Sequence, residues 1–273
     1  MKYYKKVAMR NLIQGILAMI FLGVTVNAQT IDKAAYFRVW QGFQKPELTS
    51  EQFLNELPSF MKNTVDLYQE RALNNYIVVI PPTNRPAFIP DELALVTLHS
   101  KEIYEAIRAT PEGQKYSARH WDVFNKSNSK SAAFIDYSKV NPEELIHNTA
   151  YDVIGNQINW ARGFNAVFIG IKKSELSSAQ FLHKLQSHIE LAKSTMQPKG
   201  LLGYIIIAND NYEIAYLNWE SKHAHDIAVQ DAGGQAVFAD AKQFMDVLMY
   251  EEAAPSQAGQ TVAPGRAYST LQR

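Results

Sequence analysis

A repeat constrains this chain more than any other feature. Residues 39–57 read VWQGFQKPELTSEQFLNEL and residues 167–185 read VFIGIKKSELSSAQFLHKL, with 10 of 19 positions identical at a constant spacing of 128 residues. The match continues at the same spacing, where Tyr76-Ile77-Val78-Val79 answers Tyr204-Ile205-Ile206-Ile207. The spacing then shortens to 121, because the first copy carries a longer hairpin from Ile80 to Glu92. Beyond it Ser100-Lys101 answers Ser221-Lys222, and Gly113-Gln114 answers Gly234-Gln235. Identity falls on polar positions (Lys45/Lys173, Glu47/Glu175, Gln52/Gln180) as well as apolar ones, which chance similarity between amphipathic segments does not explain. A fixed internal period marks a duplicated structural unit.

Each copy reads strand, helix, strand, strand, helix, with room for a closing strand. Ala35 to Phe43 is β-branched and aromatic, as a strand requires. Thr49-Ser50-Glu51-Gln52 and Ser177-Ser178-Ala179-Gln180 predict capping boxes that open equivalent helices. Asn75 to Ile80 and Leu93 to Leu98 pair as a hairpin in the first copy, and Gly203 to Ala208 and Glu213 to Trp219 in the second. The stretches Lys101 to Phe124 and Ser221 to about Glu252 are helical, each interrupted at a Gly-containing turn. Ala132 to Tyr137 is a short closing strand. The order βαββα with an antiparallel hairpin excludes a Rossmann domain and fits a ferredoxin-like plan, helices on one face of an antiparallel sheet. The other sheet face is apolar and needs a cover, which a tandem copy supplies.

This gives an α+β chain of two tandem ferredoxin-like (βαββαβ) domains, at 31–139 and 164–252. The linker at 140–163 is expected to be helical, because Asn141-Pro142-Glu143-Glu144 is a helix start. The tail at 253–273 has no apolar period and is expected to be disordered. Residues 1–28 have the form of a bacterial secretory signal: Lys2, Lys5, Lys6 and Arg10, an apolar run from Leu12 to Val26, and Val26-Asn27-Ala28 for cleavage before Gln29. An uncleaved anchor is the alternative, but the run falls short of the roughly 20 residues of a spanning helix. The expectation is an exported protein, periplasmic or secreted, with no membrane span after cleavage. Removal of the signal leaves 23 basic against 27 acidic residues, a charge that argues against a nucleic-acid surface. The chain has no cysteine, which excludes disulfides, thiolate metal sites and a cysteine nucleophile.

Tyr216-Leu217-Asn218-Trp219-Glu220-Ser221-Lys222, running from a strand into a helix, resembles the corresponding junction of the dimeric α/β-barrel superfamily. It is most similar to antibiotic-biosynthesis-monooxygenase-type domains, in which a similar Trp-Glu-Ser step opens the last helix. The resemblance implies an intrachain dimeric α/β-barrel. It brings in a range of activities: cofactor-free monooxygenases, haem-degrading enzymes, haem-dependent chlorite dismutase-like proteins, cyclases and members without known activity. In the haem-degrading and quinone-forming members the site rests on an Asn early in the first strand, a Trp and a His in the last helix. Asn165 matches the first and Trp219 resembles the second, while Val229 stands where the His is expected. His223 and His225 lie earlier, and the first copy has Leu98 and Arg108 at the positions of Trp219 and Val229.

The candidate catalytic residues are therefore His99, His120, Asn165 and Trp219. His99 sits at a strand-to-helix junction, the mouth of such a fold, and His120 is a candidate base or haem ligand late in its helix. The structural alternative for each is a packed or solvated side chain. Arg38, like Asn165, is polar within a first strand: it faces outward or marks a pocket. His223-x-His225 at a helix start splays its rings apart and reads as surface rather than as a metal pair, and no metal site is expected. No phosphate loop, nucleophile elbow or His-Glu-x-x-His occurs. No motif requires a cofactor; haem enters only through the resemblance. The functional expectation is a small-molecule-binding barrel for a hydrophobic or aromatic ligand, with a cofactor-independent or haem-linked monooxygenase-like activity. The alternative is a non-enzymatic envelope protein that uses the tandem fold for partner binding or assembly. A homo-oligomer is open in both readings.

Overall fold

The chain, described by a computed structural model, is placed over residues 33–137, 149–155 and 157–271. The expected signal segment and the helix expected to open at Asn141-Pro142-Glu143-Glu144 lie outside the described residues. The first half runs β1 (Tyr36–Gly42), α1 (Ser50–Tyr68), β2 (Leu73–Ile80), β3 (Glu92–Leu98), α2 (Lys101–Ala109), α3 (Pro111–Val123), β4 (Lys130–Ser131) and β5 (Ala133–Asp136). After β6 (Thr149–Asp152), the second half runs β7 (Phe164–Lys172), α4 (Ser178–Met196), β8 (Leu201–Ala208), β9 (Tyr212–Trp219), α5 (Lys222–Gln230), α6 (Ala232–Phe244), β10 (Met245–Pro255) and β11 (Arg266–Ser269).

The repeat holds element by element. Both capping boxes form: Thr49 N donates to Gln52 Oε1 at 2.8 Å, and Ser177 N donates to Gln180 Oε1 at 2.9 Å. Thr110 closes α2 and caps α3, and Asp231 does the same for α5 and α6. At the next turn stand the matched glycines Gly113 and Gly234. A Cβ on either would collide with a backbone carbonyl of the preceding helix, that of Ile107 or Ala228. The interruption therefore needs glycine because two consecutive helices touch backbone to backbone there.

The strands form one eleven-stranded sheet in the order β4-β1-β3-β2-β11-β10-β7-β9-β8-β6-β5. Within it β4-β1-β3-β2 and β10-β7-β9-β8 are two ferredoxin-like sheets. The two ends of this strand order are joined by one segment. Its first part pairs with β1 (Trp40 opposite Ser131), Ala132 N donates to Val39 O at 2.9 Å, and its second part pairs with β6 in parallel (Phe134 opposite Ala150). The sheet thus curls round on itself, giving the intrachain α/β-barrel that the repeat implied. The two inner faces share one apolar core, with Val39, Ile77, Val79, Leu93 and Leu95 against Val167, Ile169, Ile205, Ile207 and Ile214. The outer faces carry the helices: α1–α3 over the first half and α4–α6 over the second.

Three expectations are corrected. The tail is not disordered: β10 continues to Pro255, and β11 inserts between β10 and β2, pairing with the former in parallel and the latter antiparallel. β11 shows no apolar period because backbone pairing between two existing edges holds it, and within it Ala267 and Ser269 are buried. The last helix ends at Phe244 rather than near Glu252, since Met245–Glu252 pairs with β7. The linker contains a strand, β6, where its described part was expected to be helical, because β8 offers it a free edge (Tyr151 opposite Ile206).

Truncation after Pro255 would remove β11 and leave the β2 and β10 edges unpaired, a template for association. The shortened protein is expected to melt roughly 10 °C lower and to self-associate, read by thermal scan and size exclusion. A monomer of unchanged melting temperature would contradict this role for the tail.

Candidate functional site

Because the barrel interior is filled, open space lies outside it: each half has a cavity between the sheet and the helices, and a further, more polar one of about 220 Å³ lies between the start of α1, the loop joining β2 to β3 and Pro264. In the first half β1 turns Arg38 and Trp40 toward the helices, and β2 and β3 add Tyr76, Ala94 and Val96. The helices close over this floor with Phe60, Thr64 and Tyr68 of α1, Tyr104 and Arg108 of α2, and Tyr116, His120 and Trp121 of α3. The cavity is about 170 Å³. That is close to the roughly 150 Å³ of an apolar cavity able to hold benzene.

The walls are aromatic and interlocked. His120 lies edge-on to Phe60 at 4.7 Å, to Tyr116 at 4.9 Å and to Trp40 at 5.2 Å between ring centres. Tyr68 stacks on Tyr104 at 5.5 Å. The Thr64 and Tyr116 hydroxyls share a hydrogen bond of 2.6 Å. Both guanidinium groups lie against one ring, Arg38 5.2 Å and Arg108 5.7 Å from the centre of Tyr104. Arg38 Nη2 also donates to Ser131 Oγ.

Burial, helped by the nearby positive charge of Arg38 and Arg108, pushes the His120 imidazole down to about 4, so it is neutral near pH 7. Its Nδ1 lies 3.2 Å from the Tyr116 carbonyl. A carbonyl only accepts, so Nδ1 carries the proton and Nε2 is left as an acceptor. Burial raises the Tyr68, Tyr104 and Tyr116 phenols as well, so all three are protonated near neutral pH.

The second half repeats the cavity with other side chains, in about 60 Å³. At the repeat-equivalent positions Arg38 becomes Ala166, Tyr68 becomes Met196, Arg108 becomes Val229, Tyr116 becomes Val237 and His120 becomes Ala241. Tyr76 and Tyr204 are retained, as are Glu92 and Glu213. His188 Nδ1 there donates to Asp240 Oδ2 at 2.9 Å.

The four sequence candidates are not brought together. His120 lines the first cavity, and Trp219 lines the second. Asn165 points into the barrel instead, where its Nδ2 donates to Trp160 O at 3.0 Å and its Oδ1 accepts from Asn218 at 2.8 Å. Asn75 reaches the same carbonyl at 2.7 Å, so asparagines of both halves tie down the connecting segment. His99 is at a strand-to-helix junction, its Nδ1 3.2 Å from Lys33 O, outside both cavities. His225 is buried against Trp219 and 2.5 Å from the Tyr250 hydroxyl, not on the surface as its place at a helix start suggested. Among the described residues no group of three or more His, Asp or Glu is placed to hold a metal. Sequence reasoning missed Tyr104 and Arg108 as a pair, although their spacing of one helical turn puts them on one face. It also missed Tyr68, Tyr116 and Trp121, whose signal is no different from that of ordinary core aromatics.

No family model and no curated protein matches this chain. Among solved structures it is similar to a candidate monooxygenase from Fusobacterium nucleatum subsp. nucleatum, at 12% identity, 78% of this chain and 92% of that one, and a TM-score of 0.41. It is also similar to an anthrone oxidase-like protein, at 15% identity, 83% and 94% coverage and a TM-score of 0.33. A chlorite dismutase variant from Candidatus Nitrospira defluvii gives 14% identity, 71% and 81% coverage and a TM-score of 0.27. A shared outline at such distances leaves chemistry to the site itself.

One electrostatic feature is common to both halves. Glu92 and Glu213 are fully buried, and burial pushes each carboxyl up to about 8. Both oxygens of Glu92 lack a well-formed hydrogen bond, the Trp40 indole being the donor that eases its charge. In the folded protein these groups hold protons that the unfolded chain releases near its ordinary value of 4.5. Stability is thus full below that value and falls as pH rises toward 8. The melting temperature is expected to drop between about pH 5 and about pH 8.5, and Glu92→Gln with Glu213→Gln to flatten the profile. A wild-type profile level across that range would reject the neutral carboxyls.

Proposed function

We propose that this protein binds a small, single-ring aromatic molecule in the first-half cavity, as a monooxygenase-type α/β-barrel protein that needs no cofactor. The observation that carries this reading is the cavity itself: an aromatic-walled space of about 170 Å³ with a neutral histidine and two guanidinium groups on its lining. Aromatic walls with a few convergent polar groups are the usual make-up of a ligand site. The ring would lie among Trp40, Phe60, Tyr76 and His120, with His120 Nε2 accepting a hydroxyl proton from the ligand. The oxygenase part of the reading rests on the resemblance at the Trp219 junction.

Haem does not fit this cavity. Sites that enclose larger ligands measure roughly 300–1,000 Å³, and His120 sits edge-on among three aromatic rings with no room for a macrocycle at its face.

The second reading, a non-enzymatic protein of the envelope, is favoured by one observation: the twin cavity, on the same backbone plan, has Ala166, Val229 and Ala241 where the first has Arg38, Arg108 and His120. In both readings we propose export of the chain from Gln29 onward. N-terminal sequencing of protein recovered from the periplasm is expected to begin there, and a chain still starting at Met1 would reject cleavage.

Ligand binding is tested by titrating phenols into the purified protein and following the fluorescence of Trp40 and Trp121. Saturable quenching is expected, and Ala94→Phe, which fills the cavity floor, should abolish it without loss of the folded signal. Oxygen uptake with a bound phenol would establish the enzyme; binding without uptake would move the protein to the second reading. Quenching that survives Ala94→Phe would place the ligand elsewhere.

A further inference from the structure

The two arginines of the first cavity have a property that the aromatic-ligand reading does not use. Among the described residues neither Arg38 nor Arg108 has a carboxylate partner. The acids on the same helix are engaged elsewhere, Glu102 with the Ser100 hydroxyl at 2.6 Å and Glu105 with Lys101 at 3.8 Å. Glu92, buried beneath Trp40, is held protonated up to about pH 8 by its burial. Two positive charges therefore converge on one ring, that of Tyr104, with no carboxylate paired to either among the described residues. Like charges so placed repel, and an anion between them would offset that repulsion.

Position separates the cavity into two ends. Arg108 is exposed and Arg38 half-buried, with Ser131 beside it, so the charged end is the mouth. Phe60 and Tyr76 are held deep, where water is excluded, and Tyr116 is half-buried above them. The duplicated half supplies an internal comparison. Ala166 and Val229 replace both arginines together, and the cavity there keeps the buried tyrosine and glutamate but has no cation at its mouth.

We propose that Arg38 and Arg108 make the first cavity selective for an aryl monocarboxylate, the carboxylate at the mouth between the two guanidinium groups and the ring directed inward. This rests on the aromatic-ligand reading and adds the ligand's charge and orientation. A guanidinium presents its donors as a planar fork that matches a carboxylate, and Ser131 Oγ adds one further donor at that end. A para-hydroxyl on the ring would then point toward His120 Nε2 and the Thr64–Tyr116 hydroxyl pair.

The test compares matched acids and amides: 4-hydroxybenzoate against 4-hydroxybenzamide, and benzoate against benzamide, by calorimetric titration of the full mature chain. The acids are expected to bind about tenfold or more tightly than the amides, with the advantage shrinking as salt is raised. Arg108→Gln, on an exposed helical surface, should remove most of that advantage and leave the amides within about twofold. Arg38→Lys should restore part of what Arg38→Gln loses, since it keeps the charge without the fork. Acids and amides of equal affinity would overturn the charge selectivity and leave the aromatic site standing. Failure of all four to bind would overturn both.

Discussion

Everything else in this molecule depends on the contact between the two inner sheet faces. Each half builds an antiparallel sheet whose outer face is covered by its own helices, and whose inner face has no cover of its own. β2 is buried at every position, and β8 at all but Leu202. Such strands exist only where both faces are sheltered. The second half shelters the first, and the curled sheet turns two half-covered layers into one interior. The exchange of strands strengthens this dependence. β5 of the first half joins the second half's side of the sheet, and β11 of the second half joins β2. Neither half closes without residues from the other.

A filled interior dictates where function can reside. Branched aliphatic side chains from both sheets occupy the barrel, and an asparagine cluster around the Trp160 carbonyl closes one end. Asn75, Asn165 and Asn218 are buried polar groups, which are tolerated because each is hydrogen-bonded. The aromatic-walled spaces lie between sheet and helices. Duplication created two such spaces on one backbone plan, and the side chains then separated them. One carries arginines, tyrosines and a histidine. Its twin was packed with Met196, Trp219, Val237 and Phe238. The buried glutamates common to both belong to the shared framework rather than to that difference.

Much of this architecture was legible in the residues. Constant spacing of matched polar and apolar positions revealed the duplication, and the capping boxes at Thr49 and Ser177 located the helix starts, because caps are local interactions between residues close in sequence. The interruptions at Gly113 and Gly234 were visible for the same reason. Three later strands were not, although the closing strand at Ala132 to Tyr137 was. β6, β10 and β11 form because distant edges are free to receive them, and a receiving edge leaves no mark in the segment that fills it. Hence Met245–Glu252 read as helix and the tail as disorder.

The candidate site divides along the same line. By itself the sequence determined the paired ferredoxin-like halves, the absence of thiol chemistry, His120 as a candidate and Arg38 as a polar residue needing an explanation. All of these follow from composition and short-range pattern. Only the tertiary structure decided that Asn165 faces the barrel, that His99 stays at a junction, and that Trp219 belongs to the other cavity. It also brought Arg38 of a strand and Arg108 of a helix to the same tyrosine ring. A cavity is made of side chains from elements far apart in the chain, and their meeting is set by how sheets curl and helices lie across them. No local rule of sequence encodes that meeting.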